Sequence, residues 1–108
     1  MSGVVAALNS LDEFRTLTNS GQVVIVDYWA PWCGPCRFVS PIFEKLAAEP
    51  QFSSIKFVKV NVDEQEDISQ EVGIRAMPTF QVFKDGQKID ELVGADPSKL
   101  EQLVLSHA

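Results

Sequence analysis

Residues 26–37 read VDYWAPWCGPCR and place two cysteines where a predicted strand gives way to a predicted helix. Residues 23–30 form a nearly continuous run of apolar, β-branched and aromatic side chains, which is typical of a central parallel strand covered on both faces. Pro35 occupies the position that proline favours in the first turn of a helix. The segment therefore predicts a strand that ends near Cys33 and a helix that begins beside it.

Cys33 and Cys36 are the only cysteines of the chain, and this junction suits thiol chemistry. We expect the strand end to hold Cys33 at the exposed rim of a sheet. The free N–H groups and positive dipole end of the helix would stabilise its thiolate, which is the attacking species. Cys36 lies one turn further along and can resolve a mixed disulfide. Gly34 removes bulk between the cysteines and Pro35 fixes the start of the helix.

Three other uses of the cysteine pair stay open but are disfavoured. A zinc site needs four ligands, and His107 is the only other plausible one unless two chains share the metal, so no metal is expected. A purely structural disulfide would close too small a loop to gain much chain entropy. Two unrelated buried thiols would be commoner inside a helix. The sequence therefore favours redox exchange.

Outward from this junction the chain alternates strands and helices. Helices are predicted after the capping box Ser10–Glu13, from Pro35, from the acidic run 63–67 and from Asp96 and Pro97. Strands are predicted at 4–7, 23–30, 55–62, 79–83 and 89–93, and Asp85-Gly86 is a hairpin signal. The order β-α-β-α-β-α-β-β-α predicts one α/β domain, residues 1–108, with a central mixed five-stranded sheet flanked by four helices.

The helix that starts at Pro35 is predicted to extend as far as Pro50, with a kink at Pro41. Its core-facing side is predicted from helical spacing to carry Phe38, Ile42, Phe43, Leu46 and Ala47.

The 108-residue chain has an ordinary globular composition, with 45% hydrophobic and 22% charged residues. Its net charge of −6 disfavours binding to nucleic acid and to anionic membranes. The apolar residues 4–8 lack a basic flank and are too few for a signal peptide, and no stretch is long enough to span a membrane. We therefore expect a cytoplasmic protein, in a compartment where thiols are kept reduced.

Four motifs together resemble the thioredoxin family along essentially the whole chain: residues 26–37, Met77-Pro78-Thr79, residues 83–86 and residues 93–95. The resemblance implies the thioredoxin fold and a monomeric protein-disulfide reductase, a general electron donor for cell redox homeostasis that binds no cofactor. It implies re-reduction by thioredoxin reductase, which uses NADPH, and substrates such as peroxiredoxins, methionine sulfoxide reductases and ribonucleotide reductase. Met77 before Pro78 and the lack of a leader are similar to eukaryotic cytosolic members, fungal ones included.

Asp27 stands in an otherwise apolar strand, so its carboxyl should be hydrogen-bonded or have a raised pKa. The resemblance implies that Asp27 lies near Cys36 and acts as acid and base for that thiol. It also implies that Lys59, on the neighbouring strand, pairs with Asp27. The alternatives are a solvent-facing aspartate at a strand edge and an ordinary surface lysine.

The resemblance also implies a substrate-docking surface around Cys33. Base rates favour a trans bond before Pro78, but the family has a cis bond there, which would set Pro78 against the disulfide and free the Met77 backbone to pair with a substrate. We name the flat apolar surface the collar and define it as Trp32, Gly34, Pro35, Ala76, Met77, Val93, Gly94 and Ala95. Pro31, Arg37 and Ala76 depart slightly from the family pattern.

Two rival functions remain. An oxidase or isomerase of the same fold is disfavoured by the Gly34-Pro35 dipeptide and by the missing secretory signal. The second rival is a protein-docking module whose redox activity is incidental. Turnover of a disulfide substrate with added dithiol would distinguish such a module from a reductase.

Overall fold

A computed structural model describes residues 5–108. The strands are β1 (Ala6–Ala7), β2 (Val24–Trp29), β3 (Lys56–Asn61), β4 (Thr79–Lys84) and β5 (Gln87–Val93). The helices are α1 (Leu11–Thr18), α2 (Gly34–Ala47), α3 (Glu66–Val72) and α4 (Pro97–Ser106), and a short 3₁₀ turn spans Pro50–Phe52.

The five strands form one mixed sheet in the order β1-β3-β2-β4-β5. β1, β3 and β2 are parallel, β4 runs antiparallel to β2, and β5 runs antiparallel to β4. This confirms the predicted five-stranded sheet with four helices. β2 lies at the centre, so its carboxyl end delivers the chain to the first turn of α2 in the middle of one sheet edge.

Each face of the sheet carries its own apolar core. On one face, Val39 and Phe43 of α2 pack with Leu100 of α4. On the other face, Phe14 of α1 and Ile68 of α3 pack over the opposite side of the strands. Both sides of β2 are therefore covered, which is why its sequence is apolar at almost every position.

The boundaries of two predicted elements differ from the structure because side chains decide them. α3 begins at Glu66, not within 63–65, because the Asn61 side-chain oxygen accepts hydrogen bonds from the N–H groups of Asp63 and Glu64 and holds that segment in a turn. α2 continues through Pro41 and ends at Ala47, short of Pro50. The predicted first strand is confirmed at Ala6–Ala7, and its residue 4 lies outside the described residues.

One core prediction for α2 is wrong. Phe38 is 61% exposed, whereas Phe43 and Leu46 are buried as predicted. The buried positions of α2 are Cys36, Val39, Phe43, Leu46 and Ala47, and Phe38 lies about 100° around the helix from Val39, outside this stripe. Apolar character alone therefore does not place a residue on the core-facing stripe.

The hairpin that joins β4 and β5 turns at Asp85 and Gly86, whose φ angles are 54° and 79°. Both residues are left-handed, as in the type I′ turn that the Asp-Gly pair predicts. The register of the two strands then shifts, because Val82 pairs with Asp90 and Phe83 with Lys88, which leaves Ile89 as a bulge residue. Among residues 5–108 no helix is long and apolar enough to cross a membrane.

Candidate active site

Cys33 and Cys36 are joined by a disulfide across the first turn of α2, with their Cα atoms 5.3 Å apart. Cys33 is the N-cap residue in an extended conformation, and its sulfur accepts a hydrogen bond of 3.2 Å from the Cys36 N–H. The Cys33 N–H donates to the carbonyl of Ala30 at 3.1 Å, which fixes the approach from β2. In the reduced protein this geometry places the Cys33 sulfur at the positive end of the helix dipole, where a thiolate is favoured.

The cysteine pair is more deeply covered than the sequence predicts. Cys33 is 5% exposed and Cys36 is 2% exposed. Both pack in a small cluster with Ala30, and partly buried side chains surround it: Trp29, Val62 and Met77. Cys33 lies between the carboxyl end of β2 and the start of α2, but its side chain is buried, so the prediction of an exposed rim is wrong for the side chain.

Asp27 lies in β2, where it is 2% exposed and faces Lys59 of β3 and Phe80 of β4 in the strand register. Its Oδ1 atom has no hydrogen-bond partner among residues 5–108. Burial raises the pKa of Asp27 to about 7; the positive charge of Lys59 partly opposes the shift and Glu44 adds to it. A carboxyl that titrates near neutrality can release and take up a proton at ordinary pH.

Lys59 does not form an ion pair with Asp27 in the described part of the chain. Its ammonium nitrogen lies 5.9 Å from the ring centroid of Trp29. A cavity of about 110 Å³ lies beside it and is lined by Trp29, Cys36, Arg37, Ser40 and Lys59. Lys59 thus borders the space beside Cys36, and Ser40 is a polar neighbour of Cys36 that the sequence analysis did not single out.

The predicted collar residues occupy the segments around the cysteine pair. Trp32 is 65% exposed and Val93 is 58% exposed, so two large apolar side chains face solvent here. Gly34, Pro35 and Ala76 are exposed, whereas Met77, Gly94 and Ala95 are partly buried. The collar therefore presents apolar surface to solvent, and apolar surface of this kind marks interaction sites.

The Met77–Pro78 bond is cis, and Pro78 is buried. The Pro78 carbonyl accepts from the Gly94 N–H at 2.9 Å, and the Thr79 hydroxyl donates to the Ala76 carbonyl at 2.5 Å. These bonds connect the segment of Ala76 and Pro78 to Gly94 and to the start of β4. Within residues 5–108 the backbone of Met77 makes no hydrogen bond of its own, so it is available to an extended chain.

Two further contacts at the site escaped the sequence analysis. The Trp32 indole N–H donates to Asp63 Oδ2 at 3.0 Å, and the Arg37 guanidinium donates to the Pro31 carbonyl at 2.6 Å. Asp63 lies in the turn before α3, 31 residues from Trp32, so no local pattern could have linked them. Among residues 5–108 no three His, Cys, Asp or Glu side chains are grouped to hold a metal ion.

Comparison with known proteins finds relatives along nearly the whole chain. The sequence model of the Thioredoxin family matches residues 5–106. A thioredoxin of Coprinus comatus is 61% identical over 101 residues, which cover 94% of this chain and 95% of the relative. The crystal structure of Malassezia sympodialis thioredoxin superposes with a TM-score of 0.95 at 53% identity and covers 97% of this chain and 91% of that one.

A third match comes from work on how a yeast mitochondrial 1-Cys peroxiredoxin is resolved by the glutathione and thioredoxin systems. One chain of the structure from that work superposes with a TM-score of 0.88 at 37% identity, and the match covers 98% of this chain and 99% of that one.

Proposed function

The chain belongs to the thioredoxin family, whose members are thiol–disulfide oxidoreductases, and on that premise we propose how its own residues carry out the exchange. The protein reduces disulfides of other proteins through Cys33 and Cys36 and is a general electron donor. The observation that carries the residue assignment is the disulfide across the first turn of α2, with the Cys33 sulfur held by the Cys36 N–H.

In the first step the reduced protein docks a substrate disulfide on the collar. The Cys33 thiolate attacks one substrate sulfur, so a Cys33–substrate disulfide forms, the substrate S–S bond breaks and the other substrate sulfur leaves as a thiolate. We assign the attack to Cys33 because its sulfur caps α2 and the residue is 5% exposed, whereas Cys36 lies inside the first turn and is 2% exposed.

In the second step Cys36 attacks the Cys33 sulfur and releases the second substrate thiolate. The products are a reduced substrate with two thiols and an oxidised Cys33–Cys36 pair, so two electrons pass to the substrate. We assign to Asp27 the acceptance of the Cys36 proton, because its pKa of about 7 suits transfer near neutral pH. Lys59 favours the ionised form of Asp27, and it also lines the cavity beside Cys36, which has room for a water molecule.

Docking uses the backbone of the substrate more than its side chains. The free N–H and C=O groups of Met77 would pair with an extended substrate segment. The other contacts are apolar and come from Trp32, Gly34, Pro35, Ala76, Pro78, Val93 and Gly94. A surface of this type accepts many sequences, which suits a general reductase.

Re-reduction requires a partner, for which we propose an NADPH-dependent thioredoxin reductase. The proposed substrates are peroxiredoxins, methionine sulfoxide reductases and ribonucleotide reductase. The first class is supported by the match to a chain from the study of how a peroxiredoxin is resolved by the glutathione and thioredoxin systems. We further propose that residues 1–108 act as one monomeric domain in the cytoplasm, because a thiol-reducing compartment keeps the pair in its dithiol form.

The residue assignment is tested by trapping the intermediate. Cys36→Ser removes the resolving thiol, so a substrate disulfide should accumulate covalently on Cys33, which non-reducing electrophoresis and mass spectrometry detect. Cys33→Ser is the matched control and should trap none. Equal trapping by both variants would contradict the assignment of Cys33 as attacking residue.

The direction of the reaction is tested by the reduction potential of the pair, measured by equilibration with a defined thiol buffer. A reduction potential of about −270 mV is typical of thioredoxin and would support a reductase. A potential of about −180 mV is typical of protein disulfide isomerase and would contradict the proposed reductase function.

A further inference from the structure

Phe38 is a large apolar side chain that the fold leaves in solvent. It is 61% exposed, on the second turn of a helix whose Cys36, Val39 and Phe43 are all buried. Phe38 lies about 200° around the helix from Cys36, since each residue advances about 100°. It contributes little to the core from that position, so its apolar surface is available to a bound molecule.

This surface is continuous with the collar. Phe38 follows Pro35 by three residues and Gly34 by four, the two spacings that place side chains on the same helical face. Gly34 and Pro35 are themselves exposed collar residues. Two other exposed apolar residues, Ile89 of β5 and Leu105 in the last turn of α4, have no such helical continuity with the collar.

The neighbouring cation does not turn this surface into a charged one. The Arg37 guanidinium donates to the Pro31 carbonyl at 2.6 Å, and Arg37 also lines the cavity beside Cys36. Its charged group is therefore engaged on the Pro31 side of the helix, and Phe38 keeps most of its ring surface exposed.

We propose that Phe38 is a binding subsite for an apolar side chain of the substrate protein, two residues from the cysteine that Cys33 attacks. The proposal rests on the docking mode proposed above. Cys33 and Phe38 are five positions apart, which is about 7.5 Å along a helix axis. An extended chain advances about 3.3 Å per residue, so two residues cover nearly the same axial distance. The five positions also turn the helix by about 140°, to an angle between those of Gly34 and Pro35, so the substrate chain has to cross the exposed face that these two residues form. An aliphatic or aromatic side chain at that position would reach the Phe38 ring.

The subsite adds sequence preference to a surface that otherwise engages backbone. Removing part of an exposed phenylalanine and a leucine from water is favourable in proportion to the apolar area that is covered. Because the ring lies on an open helix face and not in a pocket, we expect a preference of roughly three- to tenfold for leucine over serine.

The test uses disulfide-linked peptides with leucine or serine two residues before or after the cysteine. The readout is the ratio of kcat/KM for the leucine and serine peptides, which cancels differences in the amount of active protein. The wild-type protein should prefer leucine at one of the two positions, mainly through a lower KM. Phe38→Ser should bring the ratio close to one. Leu105→Ser, at a residue that is 51% exposed on α4, should keep the wild-type ratio.

Two results would overturn the subsite while leaving the function intact: a wild-type ratio near one at both positions, or an unchanged ratio in Phe38→Ser. Absence of turnover for all the peptides would contradict the proposed function and the subsite together. The two failures are therefore distinguishable.

Discussion

Asp27 shows how a single buried group links stability to redox chemistry. Its carboxyl is 2% exposed in the central strand, without a hydrogen-bond partner for Oδ1 among the described residues. Ionising it there is unfavourable, and the pKa rises from 3.8 to about 7 mainly because of burial. The fold tolerates the neutral acid and is strained by the anion, which is the condition under which a carboxyl exchanges protons near neutral pH.

The first prediction concerns the stability of Asp27→Asn. Between about pH 4 and 7 the folded protein keeps a proton that the unfolded chain has released, so the free energy of unfolding of the wild type falls as pH rises through this window. Asparagine does not titrate. The stability difference in favour of the variant should therefore be larger at pH 8 than at pH 4, by on the order of 3 kcal/mol. Chemical denaturation of the oxidised proteins at both pH values measures it, and parallel pH profiles would contradict the burial argument.

The second prediction concerns the hydrogen bond between the Trp32 indole and Asp63. Asp63→Ala removes the acceptor 3.0 Å from the indole N–H and frees a ring that is 65% exposed. Because ordering the ring would then oppose docking, KM for protein disulfides should rise by about two- to fivefold with little change in unfolding free energy. Glu64→Ala, at the adjacent exposed acid, is the matched control and should keep the wild-type KM. An equal rise in both variants would point to charge and not to the hydrogen bond.

Individual residues were predictable where one physical rule dominated. An aspartate in an apolar strand and two cysteines at a helix start are local patterns, and the sequence placed them well. Phe38 was misplaced because helical spacing does not tell which of two adjacent apolar stripes faces the core. The contact of Trp32 with Asp63 joins segments that only the folded chain brings together.

Helices and strands were predictable in type and less so in their ends. The capping pattern at Ser10 is realised by the Ser10 hydroxyl, which accepts from the Glu13 N–H at 3.0 Å, and Asp96 caps α4 in the same way. The start of α3 was missed because the Asn61 side chain competes for the N–H groups that the acidic run offered to a helix. Competition of this type depends on a side-chain rotamer, which composition does not reveal.

The third prediction concerns the β4–β5 hairpin. Gly86 has a φ of +79°, and a Cβ there would lie 2.3 Å from the Asn19 side-chain oxygen. Gly86→Ala therefore has to adopt a strained backbone and also displace Asn19, whose amide donates to the Arg15 carbonyl at 2.8 Å. We expect a loss of about 2 kcal/mol.

Gly73→Ala is the matched control for this variant. Gly73 has a φ of +74° with open space around it, so the control carries the backbone strain alone and should lose about 1 kcal/mol. Thermal and chemical unfolding of both variants give the comparison. Equal losses would show that Asn19 moves aside at no cost.

At the scale of the whole molecule, alternation of strands and helices was enough to predict a mixed five-stranded sheet with four helices, because parallel strands require crossovers and the Asp-Gly turn fixes the final hairpin. The meeting of residues 30–36, 76–78 and 93–95 at one end of the sheet was not contained in any local pattern. It follows from the central position of β2 beside β4, together with the bond between Gly94 and Pro78. Only the family resemblance anticipated it.

The fourth prediction concerns the net charge of −6, which acts on every encounter with a partner. Rising ionic strength should lower kcat/KM for basic disulfide substrates and raise it for acidic ones, since screening weakens attraction and repulsion alike. Stopped-flow reduction of a basic and an acidic peptide disulfide between low and physiological salt measures both slopes. Slopes of the same sign would show that the net charge does not govern association.

The two edge strands of the sheet bear on whether bound substrate chains can aggregate with the protein. A reductase that docks extended, incompletely folded chains is exposed to the strand pairing that drives aggregation. One edge, β1, is only two residues long, and the other, β5, carries Lys88, Asp90 and Glu91 beside the bulge at Ile89. Short, charged and bulged edges are poor templates for adding strands. In the docking mode proposed above, an extended chain pairs with the Met77 backbone beside the disulfide, and neither described edge of the sheet favours its growth into an aggregate.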